Sequence, residues 1–229
     1  MSAFDPHRSD WSAVLFWTVI VPGLIGLAIA FIVFRAWQRP ESNNGAAAPG
    51  PAALQLAQQD LRDGHRKEAA QLFAVLAKRG DANAQYWLGR LAEKGIGAGR
   101  DIGKAIDLYK RAADRNDVAA EVRLGEIYLR GNLALPDSAL AQRYLERAAD
   151  QGSPSAAMLM GELYRGAVGR TPDLVEAYAW SEVATVEGSR FAVADRDAAL
   201  HALDPQGQQA ALARARDILA GIRGHAPPR

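Results

Sequence analysis

The stretch that decides the fold lies between residues 81 and 188 and consists of three similar units. They read DANAQYWLGRLAEKGIGAGRDIGKAIDLYKRAAD (81–114), VAAEVRLGEIYLRGNLALPDSALAQRYLERAADQG (118–152) and SAAMLMGELYRGAVGRTPDLVEAYAWSEVATVEG (155–188). In lines of 36 residues the units share the columns Ala84/Ala120/Ala156, Leu88/Leu124/Met160, Ala105/Ala141/Ala177, Leu108/Tyr144/Trp180 and Ala112/Ala148/Ala184. A fixed period of this length indicates a repeat architecture, in which each unit packs on its neighbours.

Each unit contains two segments whose apolar residues recur at helical spacing. The first segment carries a glycine in its middle, at Gly89, Gly125 and Gly161. Glycine inside a helix costs about 1 kcal/mol relative to alanine, so its recurrence predicts close approach of another helix. The second segment follows an aspartate that can cap a helix, at Asp101, Asp137 and Asp173. A single hairpin would leave an apolar face exposed, so we expect an all-α solenoid of stacked helical hairpins.

Further glycines are expected to end the first helix of each unit in a left-handed conformation. They are Gly95 and Gly131, which are in register, and Gly166, which is one residue short. The aromatic residues Trp87 and Trp180 are expected to pack between repeats rather than to bind a ligand.

The columns resemble the Sel1-like repeat, a family related to the tetratricopeptide repeat. The shared pattern is A-xxx-LG-xx-Y-xx-G, then D-xxx-A-xx-(L/Y/W), then AA-D-x-G. The chain departs from it at Ala92, which stands in place of the usual tyrosine, and in the loop GNLALPD (131–137), which lacks the usual second glycine. The resemblance implies an adaptor that binds peptides or proteins along the concave face of the first helices.

Three columns of the first helices are therefore the candidates for contact with a partner protein. They are Tyr86/Val122/Met158, Arg90/Glu126/Glu162 and Lys94/Arg130 with the nearby Arg165. Arginine, tyrosine and methionine are enriched at protein interfaces, which favours this interpretation. The alternative is a solvated face with incidental ion pairs between neighbouring turns.

The segments that flank the three repeats complete the domain organisation. Residues 52–80 continue the period only in part and predict a degenerate opening repeat. Residues 189–223 predict C-terminal capping helices, the last of which begins at Asp204-Pro205, with aspartate as the cap and proline in the first turn. The end of the chain, residues 224–229, predicts a disordered tail.

The N-terminal region contains an apolar run from Ala13 to Phe34, which is 22 residues without a charge. About 20 apolar residues suffice to cross a bilayer as a helix, so the run predicts a single transmembrane helix over 12–36. It follows an N-terminal tail (1–11) and precedes a flexible Pro/Gly/Ala linker (37–51). The alternative, a cleaved signal peptide, requires a shorter apolar core and a cationic segment before it.

The predicted transmembrane helix carries small residues near one face, at Gly23, Gly26 and Ala30. Such spacing permits close contact with another membrane helix, whereas the alternative is a plain anchor that faces lipid. Positive charge tends to stay in the cytoplasm, and Arg35 and Arg39 follow the run. We therefore expect a single-pass protein of the bacterial inner membrane with a cytoplasmic repeat domain; a periplasmic domain is the alternative.

Composition and motifs argue against an enzyme. With 27 Lys+Arg against 26 Asp+Glu, the net charge of +1 argues against a nucleic-acid partner. The absence of cysteine excludes disulfides and thiolate catalysis, and the four histidines lack metal-ligand spacing. No phosphate-binding glycine loop or nucleophile elbow occurs. We expect no enzyme activity and no catalytic, cofactor or metal site.

These observations lead to a hypothesis of function. The chain is a membrane-anchored protein–protein interaction scaffold that recruits, assembles or stabilises a bacterial membrane complex and contacts the bilayer through residues 12–36. The alternative is a stoichiometric accessory subunit of an integral respiratory or envelope complex, with its transmembrane helix packed in that complex. Self-association through the ends of the solenoid is a further expectation.

Overall fold

A computed structural model describes residues 51–167 and 169–225. Within these ranges the chain forms α-helices, one short 3₁₀ helix (Arg190–Ala192) and no β-strand. The α-helices are α1 (Pro51–Arg62), α2 (Arg66–Lys78), α3 (Ala82–Lys94), α4 (Ile102–Ala113), α5 (Val118–Arg130), α6 (Ser138–Asp150), α7 (Pro154–Gly166), α8 (Leu174–Val186), α9 (Val193–His201) and α10 (Pro205–His225). The expected all-α fold is confirmed for this part of the chain.

The helices stack as consecutive hairpins. Each helix from α1 to α8 packs on the next one in sequence, so that α3–α4, α5–α6 and α7–α8 form the three central hairpins. The first helices of the second and third hairpins, α5 and α7, also contact each other, and α10 folds back on α8. The predicted solenoid is therefore present, and α10 covers its C-terminal end.

Side-chain caps begin every helix of the three central hairpins. Asp101, Asp137 and Asp173 accept backbone N–H hydrogen bonds at the start of α4, α6 and α8, as predicted. A second capping column opens the first helices, at Asp81, Asp117 and Ser153. Each cap satisfies an amide that would otherwise lack a partner in the first turn.

The glycine column of the first helices lies where the two helices of each hairpin touch. A Cβ atom at Gly125 would lie 2.5 Å from Leu145 Cγ, and one at Gly161 would lie 2.5 Å from Ser181 Oγ. At Gly89 the nearest atom would be Tyr109 Cε1, at 2.7 Å. The predicted close approach is confirmed, because an added methyl group would overlap the neighbouring side chain in all three hairpins.

The glycines at the ends of the first helices differ from one another. Gly95 and Gly131 cap α3 and α5 with φ of 69° and 63°, the predicted left-handed conformation. The prediction is wrong for Gly166, which is the last residue of α7 and has φ of 136°, while the cap is the extended Ala167. The chain thus leaves α7 by a different path, in keeping with the one-residue shift of Gly166.

The apolar core forms two clusters that meet at α3. One cluster joins α1, α2 and α3, and the other extends from Ala105 in α4 to Ile222 in α10. Trp180 is buried in the second cluster, whereas Trp87 packs against the first and stacks on Phe73 with ring centroids 6.0 Å apart. Both tryptophans therefore contribute to the core, as predicted.

Several predictions concern residues outside the described ranges. These are the tail 1–11, the transmembrane helix 12–36 with Gly23, Gly26 and Ala30, and the linker as far as residue 50. Of the helices that the structure describes, none is both long enough and apolar enough to cross a membrane. Helix α10 extends to His225, two residues into the segment 224–229 that was expected to be a disordered tail.

Candidate protein-binding face

Helices α3, α5 and α7 carry all nine candidate residues, whose side chains are exposed or half-buried. We call this surface the first-helix face. The caps fix the start of each helix, and the glycine column fixes its distance from the helix behind it. The side chains of the face are therefore displayed on a rigid backbone, which suits a recognition surface.

The apolar candidates lie at the border between this face and the core. Tyr86, Val122 and Met158 are half-buried and pack against the second core cluster. Met158 Sδ also accepts a weak hydrogen bond from Ser189 Oγ at 3.9 Å. These side chains contribute to stability and offer only part of their surface to a partner.

Tyr86 and Arg90 form one unit on α3. Arg90 Nη1 donates a hydrogen bond to Tyr86 Oη at 2.8 Å, and the guanidinium carbon lies 5.8 Å from the centre of the Tyr86 ring. The hydrogen bond and the cation–π contact together orient the guanidinium group.

An ion-pair ladder joins α3, α5 and α7. Arg123 on α5 binds Glu93 on α3 with Nη2–Oε1 at 2.5 Å, and Glu126 on its own helix with Nη1–Oε2 at 2.6 Å. Arg130 continues the ladder, since it binds Glu126 at 2.7 Å and Glu162 on α7 at 3.0 Å. The candidates Glu126, Arg130 and Glu162 are therefore linked to one another as well as exposed to a partner.

The environment of the ladder favours the charged forms of its members. Burial alone would raise the pKa of Glu93, but hydrogen bonds from Arg123 and Tyr109 outweigh it and lower the pKa of this carboxyl. Tyr109 Oη donates to Glu93 Oε2 at 2.7 Å, and burial together with this bond raises the pKa of Tyr109. Burial acts to lower the pKa of Arg123, yet its bonds to Glu93 and Glu126 raise it. These bonds therefore favour the charged forms of Glu93 and Arg123.

An open recess of about 300 Å³ lies between α3 and α5, beside the ladder. Its lining residues are Tyr86, Ala119 and Val122, which supply aromatic and apolar surface, and Arg90, Glu93, Arg123 and Glu126, which supply charge. The recess therefore gathers four of the nine candidates into one concave site.

The two remaining candidates differ in their pairing. Arg165, near the end of α7, forms an ion pair with Asp195 on α9. Lys94, at the end of α3, is exposed and forms no ion pair with any residue of the described ranges. Sequence reasoning placed both in one column, but only the structure separates a paired cation from an unpaired one.

Three members of these ion pairs were not among the candidates, namely Glu93, Arg123 and Asp195. A signal was present, because Glu93 and Arg123 stand 30 residues apart, as do Arg165 and Asp195. Opposite charges at a recurring separation indicate contact between successive first helices. The columns of identical residue types did not reveal it, since the charges alternate in sign.

Phe191 is a further exposed residue that sequence reasoning missed. It is 75% exposed, and the Arg190 guanidinium carbon lies 5.6 Å from the centre of its ring. It stands 36 residues after Ser155 and 72 after Ala119, the residue that lines the recess. The 36-residue spacing predicts that this aromatic side chain lies beside the candidate face, toward the C-terminal end of the repeats.

The described residues offer several means of recognising a protein partner. Between residues 51 and 225, leaving aside the undescribed residue 168, no group of three or more histidine, aspartate or glutamate side chains could hold a metal ion. The first-helix face instead combines paired charges, an aromatic ring and apolar side chains, a combination typical of protein interfaces.

Comparison with known proteins agrees with this architecture. The Sel1 repeat family model matches residues 82–117, 118–153 and 154–185. These ranges correspond to the three central hairpins. No curated protein matches the chain.

Solved structures provide a second comparison. The crystal structure of a Sel1 repeat protein from Oxalobacter formigenes is similar with a TM-score of 0.62 and 23% identity, over 85% of this chain and 78% of that one. A protective antigen of uropathogenic Escherichia coli strains, which displays an SLR fold, has a TM-score of 0.45 and 22% identity over 75% and 45%. An immunity protein from Pseudomonas aeruginosa has a TM-score of 0.37 and 16% identity, over 78% of this chain and 86% of that one. The first similarity shows a common fold, whereas the two lower TM-scores are too low to show one. Residues 82–185 are therefore similar to three Sel1 repeats, and they form the centre of the α-solenoid.

Proposed function

We propose that this protein is a membrane-anchored scaffold whose first-helix face binds a protein partner, and that it recruits, assembles or stabilises a bacterial membrane complex. The observation that carries the proposal is the ion-pair ladder with the open recess beside it. The ladder holds three first helices in register before any partner arrives. A surface that is already ordered loses little conformational entropy on binding, which favours affinity.

The chemistry of the face supports a protein as the partner. Tyr86, Arg90 and Met158 are of the residue types that are enriched at protein interfaces. The ladder presents alternating charges, so a partner with a complementary pattern would be selected over one with the wrong pattern. The Sel1 repeat fold is itself that of a protein-interaction scaffold.

The membrane part of the proposal rests on the sequence of residues 12–36 alone, which is apolar over a length that suits a bilayer-spanning helix. We place the protein in the bacterial inner membrane as a single-pass protein with its repeats in the cytoplasm, because Arg35 and Arg39 follow the apolar run. An anchor of this kind raises the local concentration of whatever the repeats bind.

The topology can be tested directly because the chain contains no cysteine. Lys104→Cys introduces a single thiol at an exposed position on α4. A membrane-impermeant maleimide should leave this thiol unlabelled in intact cells and label it after the inner membrane is opened. Labelling in cells whose outer membrane alone has been permeabilised would place the repeats in the periplasm instead.

Partner binding is tested by purification of the full-length protein from its own membranes in mild detergent, followed by mass spectrometry with stoichiometry. Ala119→Trp fills the recess from an exposed position and leaves every ion-pairing residue of the ladder in the sequence. Ala139→Trp places the same side chain at an exposed position on α6, away from the face, and serves as the matched control. We expect Ala119→Trp to lose the partner and Ala139→Trp to keep it. Equal recovery with both variants would refute a binding role for the face.

The second candidate function is that of an accessory subunit of an integral membrane complex, because Gly23, Gly26 and Ala30 have the spacing of a helix-packing face. Replacing the three residues by leucine should eject a subunit from its complex but should leave an anchored scaffold working. Recovery of one integral complex at fixed ratio would favour the subunit. Substoichiometric recovery of several peripheral proteins would favour the scaffold.

A further inference from the structure

We infer that the recess between α3 and α5 binds an acidic side chain of an extended peptide, with Arg90 and Lys94 as the groups that recognise its carboxylate. This inference rests on the proposed function, because it names the chemistry of the partner that the first-helix face would bind. It follows from an account of which charges on α3, α5 and α7 are already neutralised.

Four cations stand on or beside the recess, and two of them are fully engaged. Arg123 binds Glu93 and Glu126, and Arg130 binds Glu126 and Glu162. All three carboxylates of this part of the face are thereby used within the ladder. The remaining glutamate of these three helices, Glu121, is buried and pairs with Arg147 on α6.

The two other cations form no ion pair within the described ranges, although the charge of Arg90 helps to lower the pKa of Glu93. Arg90 donates Nη1 to the Tyr86 hydroxyl instead. Lys94 stands one repeat before Arg130. Arg130 pairs with Glu162, and the residue one repeat before Glu162 is Glu126. Because Arg123 and Arg130 already bind Glu126, Lys94 is left without a counter-charge. The ladder and these two cations together hold four positive and three negative charges, so the set has a net charge of +1, and Arg90 and Lys94 are its two members without an ion pair in the described ranges.

The geometry around Arg90 suits a carboxylate. The bond to Tyr86 Oη and the contact with the Tyr86 ring hold the guanidinium group in place, while its Nε and Nη2 donors bond to no residue in the part of the chain that the structure describes. A guanidinium that is held by one donor and offers two others can form the forked, bidentate pair that carboxylates prefer. Lys94, one turn further along α3, adds a point charge without a directional requirement.

The shape of the recess selects a peptide rather than a folded surface. Its volume of about 300 Å³ is at the lower end of the range of small-ligand pockets, so it accommodates a side chain. Tyr86, Ala119 and Val122 line it with apolar surface that can contact the methylene groups and backbone next to the carboxylate. The open side of the recess lets the peptide enter and leave along the face.

The experiment measures binding of dye-labelled peptides to the full-length protein in detergent micelles by fluorescence anisotropy. Three ten-residue peptides, acetylated and amidated, alternate alanine with glutamate, glutamine or lysine. A fourth, the glutamine peptide with a free C-terminus, tests whether a terminal carboxylate suffices. The protein variants are Arg90→Gln, Arg90→Lys and Lys94→Gln, with Lys104→Gln on α4 as the matched control for loss of one exposed positive charge.

We expect the glutamate peptide to bind about tenfold more tightly than the glutamine peptide, and the lysine peptide to bind least. Arg90→Gln and Lys94→Gln should each remove most of this preference, Arg90→Lys should remove part of it, and Lys104→Gln should change nothing. Raising the salt concentration should weaken the glutamate peptide most. Circular dichroism melts of each variant show whether a loss reflects unfolding.

Three results would overturn the inference. The first is equal binding of the glutamate and glutamine peptides. The second is an equal loss in Arg90→Gln and Lys104→Gln, which would indicate general charge attraction. The third is a preference for the free C-terminus over glutamate side chains. The proposed function is tested separately by the Ala119→Trp purification. If that variant loses the natural partner while no acidic preference is found, the scaffold function is supported and the acidic partner is refuted.

Discussion

Arg123 Nη2 lies 2.5 Å from Glu93 Oε1, and this ion pair ties α5 to α3 across 30 residues of sequence. Two repeats later the same two columns hold Arg165 and Asp195, which pair with the polarity reversed. The junction of α3 with α5 and the junction of α7 with α9 thus hold an ion pair at the same register positions with opposite polarity.

The intervening junction, between α5 and α7, has no charged residue at the equivalent positions. Its equivalent residues are Leu129 and Leu159, and both are buried in the second core cluster. If a hairpin packed one repeat away from its place, a charged side chain would lie against a leucine. The stack would lose stability, because that charge would be desolvated without a partner. The three junctions therefore disfavour a stack in which one first helix is displaced onto the contact surface of another.

The pair between Glu93 and Arg123 is predicted to stabilise the stack. Both side chains are mostly buried, at 14% and 17% exposure. A double-mutant cycle of Glu93→Gln and Arg123→Gln should give a coupling of about 1–3 kcal/mol in the free energy of unfolding, because each change leaves the other group without its partner. Urea unfolding followed by circular dichroism measures it.

The control for this cycle is Arg143→Gln on α6, an exposed residue, which should change the stability by less than about 0.5 kcal/mol. A coupling near zero would mean that solvent screens the pair and that other contacts hold α3 against α5.

The mid-helix glycines are predicted to tolerate no side chain. Gly125→Ala should lower the free energy of unfolding by about 1–3 kcal/mol, because its Cβ would lie 2.5 Å from Leu145 Cγ. Gly103→Ala on α4 is the matched control: its Cβ would meet nothing closer than Asp101 Oδ1 at 3.7 Å, so alanine should stabilise the helix by about 0.5–1 kcal/mol.

The double variant Gly125→Ala/Leu145→Ala separates overlap from other causes. If the new methyl group collides with Leu145, shortening that residue makes room, and the double variant should be more stable than the sum of the single losses implies. Strict additivity would show that the loss in Gly125→Ala has a different origin.

The pH dependence of stability should differ in sign between two buried glutamates. Glu121 is fully buried beside Arg147, with Oε1–Nη2 at 2.7 Å, and burial raises its pKa above the ordinary value of 4.5 despite the arginine. The folded state therefore favours protonated Glu121, and the wild type should lose stability as pH rises from about 4.5 through the raised pKa. Glu121→Gln cannot ionise, so its stability relative to wild type should improve over this rise, at about 1.4 kcal/mol per pKa unit.

Glu93→Gln is the opposite case, because the pKa of Glu93 is lowered. The wild type gains stability as pH rises through the lowered pKa to about 4.5, and Glu93→Gln does not. Urea unfolding of both variants and the wild type at several pH values between 3 and 8 measures the two trends. Parallel trends in the two variants would contradict the assignment of opposite shifts.

The anchor is predicted to act through local concentration. Removal of residues 1–50 should leave the affinity of the repeats for the partner unchanged, as measured by biolayer interferometry, but should weaken function in cells. A soluble form that retains full function at native expression would contradict the tethering mechanism.

Much of the repeat architecture was readable because it depends on contacts that are short in sequence. The caps at Asp101, Asp137 and Asp173 act on amides two or three residues away, and the 36-residue period exposes them by repetition. The glycine column was readable for the same reason, since a residue type with a known cost in helices recurs at one position.

The state of the candidate face was not readable in the same way. Whether Arg130 is paired and Lys94 is not depends on the distance between helices that are far apart in sequence, and on how Arg123 and Arg130 share Glu126. The exit of the chain at Gly166 likewise follows from how α7 meets the next loop.

By itself, then, the amino-acid sequence determined the helical hairpins, their caps and their order, because these follow from local hydrogen bonding and the burial of periodic apolar residues. Only the tertiary structure decided which charges neutralise one another and where a recess remains open. The physical reason is that a Coulomb interaction depends on distance and burial in space, and a column of aligned residues records neither.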